Sequence, residues 1–168
     1  MMGFAEALHM SWGHLRHLWF RIARPVTLGV QGIVLDEQGR VFLVRHTYVP
    51  GWHFPGGGVE AGETAAAALR RELREEGHIE ADSPPQLHGI FFNDRFSRRD
   101  HIVVMVLRHF HQTSPRSADA EIAETGFFPV DQLPAGTTLA AQARLMEVLT
   151  GATPAARWLP PRPARRDQ

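Results

Sequence analysis

The chain has 168 residues, 43% of them hydrophobic, and its 18 basic and 18 acidic residues cancel to a formal charge of zero. This length predicts one domain with its own core, in which a second catalytic domain would not fit comfortably. The balanced charge gives no field that favours nucleic acid or a membrane as partner. The absence of cysteine excludes disulfides, thiolate metal sites and a cysteine nucleophile.

Residues 1–25 predict an amphipathic helical extension. Six apolar residues recur there at helical spacing, and arginine and histidine lie elsewhere around the helix. These charges exclude a secretion signal and a membrane span, so we expect a cytoplasmic protein. Docking on the chain's own domain, or on a partner in a homodimer, is favoured over a membrane surface. The six residues are Phe4, Leu8, Trp12, Leu15, Trp19 and Ile22.

The next segment, which opens a domain predicted over residues 26–151, reads as strands. Apolar runs at residues 30–35 and 41–44 flank a turn, and this pattern predicts a hairpin. A loop rich in glycine and proline follows at residues 48–58. It leads to a helix that Thr64 is expected to cap and that runs to about residue 76.

The rest of the chain predicts further strands and one more helix. Strands are expected at residues 87–92 and 102–110, separated by a polar loop that contains several arginines. A short strand around Phe127 and a helix over about residues 138–149 complete the domain. Residues 152–168, rich in proline and arginine, are predicted to be a disordered tail.

Three carboxylates share one sector of the first helix. Glu72, Glu75 and Glu76 lie within four residues of one another, and their sector overlaps the apolar stripe that contains Leu69 and Leu73. Carboxylates that are close together and partly out of water are unfavourable unless a cation neutralises them. The pattern therefore predicts a site for a hard divalent metal.

The alternative is a solvated helix face whose ion pairs, such as Arg71 with Glu75, each contribute about 0.3 kcal/mol. An isolated pair of glutamates would favour that alternative. Three features oppose it here: a glycine turn upstream, acids beside apolar positions, and Glu63, placed before the helix where it can hold Arg71.

The spacing of Gly57, Glu63 and the run at residues 71–76 resembles the signature of the Nudix hydrolases. The flanking runs at residues 48–57 and 127–134 are also similar to this family, so the resemblance covers about residues 27–150. It implies an α+β fold of the α/β/α sandwich type, with a mixed central sheet flanked by helices.

The chain departs from the family signature where the helix ends. Gly77 precedes His78, so the glycine stands one position early. Either Gly77 ends the helix at the neighbouring position, or His78 adopts the left-handed conformation itself. The spacing of the carboxylates is the same in both cases.

The resemblance also implies a metal site. Mg²⁺, with Mn²⁺ as an alternative, would be held by Glu75, Glu76 and the backbone carbonyl of Gly56. Glu72 would bind a second metal or receive a proton from the attacking water. The supporting residues would be Gly57, Glu63 and Arg71.

In this family the general base is sometimes a glutamate from a later loop. Glu121 and Glu124 are the candidates in this chain, and Asp119 is a weaker one.

Candidate substrate contacts are arginines and one aromatic ring. Arg45 and the pair Arg98 and Arg99 could reach phosphates, and the pair is preferred. Trp52, beside the glycine turn, could stack on a base, although core packing of Trp52 or Phe54 is favoured.

The implied reaction is attack of water on a phosphorus of a diphosphate linkage. The substrate would be a nucleoside diphosphate linked to another group, or a nucleoside triphosphate. An alternative of another class is a nucleotide-binding regulatory module without turnover on the same scaffold. The intact glutamates oppose that alternative, and a diphosphate isomerase of the familiar form would need a cysteine.

Overall fold

The computed structural model describes residues 25–159, so the predicted N-terminal helix and residues 160–168 lie outside the described part. Among residues 25–159, neither helix has the length and apolar character that a membrane crossing requires. The elements are β1 (Thr27–Val34), β2 (Arg40–His46), β3 (Gly56–Gly58), α1 (Ala65–Gly77), β4 (Ile79–Ala81), β5 (Gln86–Phe92), β6 (Asp100–Leu107), β7 (Phe110–Gln112), β8 (Ile122–Pro129) and α2 (Leu139–Thr150).

A four-stranded mixed sheet organises the fold. Its strands lie in the order β3-β1-β6-β5, with β1 and β6 parallel and the other pairs antiparallel. Strands β2 and β8 form a separate antiparallel pair, as do β4 and β7. The mixed sheet and two helices agree with the predicted α+β fold.

The two helices cover opposite faces of the sheet. Along β6, Val103 packs with Leu69 of α1, whereas the neighbouring Val104 packs with Leu145 of α2. This alternation follows from the two-residue period of a strand. At Gly32 a Cβ would lie 2.7 Å from the Leu69 Cδ1 atom, so a glycine in β1 lets α1 approach the sheet closely.

The predicted hairpin of β1 and β2 is present only at its turn. The Asp36 N–H donates to the Arg40 carbonyl at 3.0 Å, and Leu35 faces Val41 in an isolated bridge. Beyond the bridge β1 pairs with β6, and β2 pairs with β8. The hairpin prediction was wrong because residues 41–44 are buried on both faces, and a two-stranded ribbon cannot cover both.

The structure decides which residue ends α1, Gly77 or His78. Gly77 is the last helical residue, and His78 adopts the left-handed conformation with φ 51° and ψ 36°. Gly77 is needed for a different reason. A Cβ there would lie 2.9 Å from Phe42 Cε1 and 3.0 Å from Ile79 Cδ1, so packing in the core requires the glycine.

The described part of the C-terminal tail, up to Leu159, packs at the periphery of the domain. The Trp158 N–H donates to the Phe92 carbonyl of β5 at 3.0 Å. Arg144, fully buried in α2, donates to the carbonyls of Arg157 and Trp158 and pairs with Glu147. A buried guanidinium needs such acceptors, and the tail supplies them.

We predict that His78→Gly is more stable than His78→Ala by about 1 kcal/mol. Both variants lose the contact of 2.8 Å between the His78 ring and Ser114 Oγ, but only alanine keeps a Cβ in the left-handed conformation. Chemical denaturation of the two variants measures the difference. Equal stability would contradict a strained left-handed residue at this helix end.

Candidate active site

A glycine turn brings main chain to the end of α1. In β3, Gly56 pairs with Gln31 of β1, and a Cβ on Gly56 would lie 2.1 Å from the Val30 carbonyl oxygen. Only glycine fits such an approach. The Gly56 N–H donates to Glu76 Oε2 at 2.8 Å, and Glu76 is only 8% exposed. The turn therefore holds a buried carboxylate.

The next glycine holds a second carboxylate. A Cβ on Gly57 would lie 2.3 Å from Glu72 Oε1. The Glu72 carboxylate therefore rests against bare main chain, at the place where a larger residue would put its side chain. Because Glu72 and Glu76 are one helical turn apart, both face the same short turn.

Arg71 fastens the helix to this turn. Its Nη2 atom lies 3.0 Å from the Gly58 carbonyl oxygen and 3.2 Å from Glu63 Oε2. Its Nη1 atom lies 2.7 Å from Glu72 Oε1 and 3.4 Å from Glu75 Oε2. Glu63 thus orients an arginine that itself binds the turn and two carboxylates.

Burial and repulsion make Glu72 and Glu76 weaker acids. Burial, and then the charges of Glu72, Glu75 and Glu121, raise the pKa of Glu76 to about 8 against the opposing hydrogen bond from Gly56. Burial also raises the pKa of Glu72, although Arg71 opposes this shift. The site therefore holds more negative charge than its protein partners neutralise.

His46 does not supply the missing positive charge. Its Nε2 atom lies 3.5 Å from Glu76 Oε1. Burial, followed by the nearby His53, lowers the pKa of His46, so the neutral imidazole is favoured. Its Nδ1 atom is buried without a hydrogen-bond partner, and nothing in the structure explains this.

The carboxylate oxygens of α1 suit a hard divalent cation, although they do not yet converge on one point. Within residues 25–159, no three His, Asp or Glu side chains already converge as metal ligands. Glu76 is instead bound to Gly56, and Glu72 is bound to Arg71 Nη1. Carboxylate oxygens at a buried, under-neutralised site are the ligands that Mg²⁺ prefers. A cation would compete with Arg71 Nη1 for Glu72.

A loop before β8 brings Glu121 to the carboxylates. Arg116 Nε donates to the Glu75 carbonyl at 3.0 Å, and its Nη2 pairs with Asp119. Asp119 Oδ1 in turn accepts the N–H groups of Glu121 and Ile122 at 2.9 and 2.8 Å. The loop is thereby tied to the last turns of α1.

Glu121 and Asp119, two candidate bases in this loop, differ in their electrostatic surroundings. The charge of Glu121 acts on Glu76, His46 and Tyr48. The N–H groups of Ile122 and Glu121, and then Arg116, lower the pKa of Asp119 to about 2. Asp119 therefore shapes the loop and is unsuited to accept a proton.

Three other predicted residues have partners outside α1. Glu124 pairs with Arg45 across β2 and β8 at 2.8 Å, and the Arg45 guanidinium lies 5.6 Å above the Trp52 ring. Trp52 is only 6% exposed and packs edge-on against Phe128, so it adopts the core packing that the sequence favoured and does not present its ring for stacking on a base.

The preferred arginine pair lies in the loop between β5 and β6. The Arg99 carbonyl accepts from Thr27 N–H at 2.9 Å, which places this loop at the start of β1. None of the described ion pairs joins Arg98 or Arg99 to a carboxylate of α1.

The sequence favoured a structural role for His46 and gave no role to Tyr48 or Arg116, although all three lie at this site. A signal existed for His46, because the alternation of β2 places it on the side of Phe42 and Val44, towards α1. Arg116 follows a proline in an irregular segment, where no periodicity predicts its direction.

Comparison with known proteins gives a family match over most of the chain: the profile of the NUDIX domain matches residues 25–149. The MutT-like protein of Streptomyces ambofaciens is 27% identical over 128 residues, which are 76% of this chain and 80% of that protein. The RNA pyrophosphohydrolase of Halorhodospira halophila (strain DSM 244 / SL1) is 54% identical over 44 residues, 26% of this chain. That match spans 24% of the relative's own length.

A solved structure shows the same fold. The MutT NUDIX hydrolase from Burkholderia pseudomallei superposes with a TM-score of 0.63, covering 73% of this chain and 97% of the other, at 24% identity.

We predict that the metal-free protein loses stability as the pH rises from about 4.5 to about 8. The folded protein raises the pKa of Glu76 from its ordinary 4.5, so it binds this proton more tightly than the unfolded chain does. The stability that this proton contributes is therefore lost across this range, and the loss exceeds about 1.4 kcal/mol because the pKa shift exceeds one unit.

The check is urea denaturation between pH 5 and pH 9 in the presence of a chelator. Glu76→Gln should lose most of the pH dependence, whereas the control Glu80→Gln should retain it, because Glu80 pairs with Arg74 and its side chain is 42% exposed. A wild-type stability that stays level or rises over this range would contradict the assignment.

Proposed function

The chain belongs to the Nudix family, and on that premise we propose that residues 26–151 form a metal-dependent pyrophosphohydrolase. Its reaction is attack of water on a phosphorus of a diphosphate linkage. The substrate is a nucleoside diphosphate linked to another group, or a nucleoside triphosphate. The observation that carries this proposal is the placement of the Glu72 and Glu76 carboxylates against the bare main chain of Gly56 and Gly57.

The metal, Mg²⁺ or Mn²⁺, would be held by Glu72, Glu75 and Glu76, with the Gly56 carbonyl as a further oxygen donor. Bound there, it supplies charge neutralisation at the phosphates and lowers the pKa of the attacking water. Glu76 must lose its proton before it can act as a ligand, so affinity rises with pH towards 8.

Two side chains can take the proton of the water. Glu121 is preferred over Glu124, since Glu121 acts electrostatically on Glu76 whereas Glu124 is paired with Arg45. Arg116 and Asp119 hold Glu121 in place through the loop. Glu72 is the other candidate, and Arg71 positions it.

The glycine turn also gives a diphosphate room to approach. Residues 56–58 carry no side chain that could obstruct it, and Arg71, bound to the Gly58 carbonyl, keeps the turn in register with α1. Phosphoryl transfer depends mainly on positioning and charge stabilisation, which this arrangement supplies.

The names of the relatives support cleavage of pyrophosphate linkages. One relative is an RNA pyrophosphohydrolase. A test panel should therefore contain RNA with a 5′-triphosphate beside nucleoside triphosphates and nucleoside diphosphate conjugates.

We predict that Glu72→Gln lowers hydrolysis by roughly 100-fold or more, because the change removes the charge while keeping the size of the side chain. Binding of a non-hydrolysable diphosphate analogue should fall much less. The assay is product release with Mg²⁺ and with Mn²⁺. A wild-type protein that binds nucleotides but hydrolyses none of the panel would instead support the regulatory module.

Glu121→Gln and Glu124→Gln form a matched pair in one segment of the chain. We expect Glu121→Gln to lower kcat by at least about 10-fold, as removal of a general base does. Glu124→Gln should leave kcat within about twofold, because Glu124 pairs only with Arg45 among the described residues. Steady-state kinetics checks both variants, and the reverse order would assign the base to Glu124.

A further inference from the structure

A groove opens beside the carboxylates, and the proposed reaction leaves it without a role. It has a volume of about 410 Å³ and is lined by residues 45–51, the end of β2 and the loop that follows. His46 is part of this lining and lies 3.5 Å from Glu76 Oε1. The groove therefore adjoins the site at which the diphosphate would react.

Tyr48 presents an aromatic ring to solvent in this groove. It is 69% exposed, and its ring centroid lies 5.2 Å from that of His46. Partial desolvation, and then the charges of Glu76, Glu121 and Glu72, raise the pKa of Tyr48, so its hydroxyl lies within electrostatic reach of the carboxylates. Trp52, by contrast, is buried.

Hydrogen bonds at both ends of the loop hold Tyr48 in place. Thr47 donates from its N–H to the Glu121 carbonyl at 2.9 Å and from Oγ1 to the Ala120 carbonyl at 2.7 Å. On the other side, the His53 Nε2 atom lies 3.1 Å from the Pro50 carbonyl oxygen. The ring is thus presented from a tethered loop that also contacts the segment of Glu121.

Phe96 is a useful comparison. Its ring is 82% exposed, but it lies in the loop between β5 and β6, and no described contact joins it to the carboxylates. Exposure of an aromatic ring alone therefore does not define a substrate site. Tyr48, by contrast, is exposed and lines a groove. Its ring lies beside His46, which in turn lies beside Glu76.

We propose that the groove formed by residues 45–51 is the base subsite and that Tyr48 stacks on the aromatic base of the substrate. This inference rests on the proposed function and adds to it the groove and the residue that bind the base of the substrate. Aromatic side chains bind bases through their ring faces with little preference for sequence. Tyr48 therefore selects for the presence of a base.

The first test uses the fact that Tyr48 is the only tyrosine in the chain. Incorporation of 3-fluorotyrosine into the full chain gives a single ¹⁹F signal from this ring. With Mg²⁺ present, a methylene-bridged nucleoside diphosphate should shift the signal saturably. Methylenediphosphonate, which has the phosphonates but no base, should shift it much less. Equal shifts from both, or no shift while calorimetry shows that the nucleotide binds, would overturn the proposal.

The second test separates KM from kcat. Tyr48→Leu should raise KM for a nucleotide substrate about 10-fold and change kcat much less, whereas Tyr48→Phe, which keeps the ring, should restore KM. Phe96→Leu is the matched control and should change neither constant. An unchanged KM in Tyr48→Leu would overturn the subsite while leaving the hydrolase proposal intact. If the wild type hydrolyses nothing, the hydrolase proposal fails and the ¹⁹F titration still decides the subsite.

Discussion

The hydrogen bond from the Gly56 N–H to the buried Glu76 carboxylate is the interaction on which the rest of the site depends. It requires β3 to run against β1 so closely that residue 56 has no room for a Cβ. It also requires α1 to end beside that turn, which the packing of Gly77 against Phe42 permits. Arg71 then fixes the angle between helix and turn through Glu63, Glu72 and the Gly58 carbonyl.

This arrangement is unfavourable for the folded chain by itself. Burial and neighbouring carboxylates raise the pKa of Glu76 to about 8, and burial lowers the pKa of His46, the histidine beside it. Such local conflicts persist where the surrounding structure enforces them, and they are typical of functional sites. Here the enforcing structure is the mixed sheet with a helix on each face, and a divalent cation is the partner that would relieve the conflict.

The parts that could be predicted from the sequence are those set by local periodicity. Three- and four-residue spacing predicted the shared sector of the glutamates, and Thr64 caps α1 as expected. The pairing of β2 with β8 could not be read from the turn after β1, because strand pairing is decided by burial of distant segments. The packing of the tail could not be predicted for the same reason, because Arg144 of α2 holds it. The positions of Arg116 and Tyr48 depend on the course of irregular loops, for which no sequence periodicity exists.

We infer that Glu76 is a buried carboxyl group whose charge a bound cation would neutralise. A direct titration of the Glu76 carboxyl group checks this inference. Glutamate labelled with ¹³C at Cδ gives one carboxyl signal per residue, and Glu76→Gln identifies the signal of Glu76. Without metal, we expect a pKa near 8 for that signal. With saturating Mg²⁺ we expect that pKa to fall by more than about one unit, since a bound cation favours the charged form. An ordinary pKa near 4.5 without metal, or a high pKa that Mg²⁺ does not change, would contradict the role of Glu76 as a buried metal ligand.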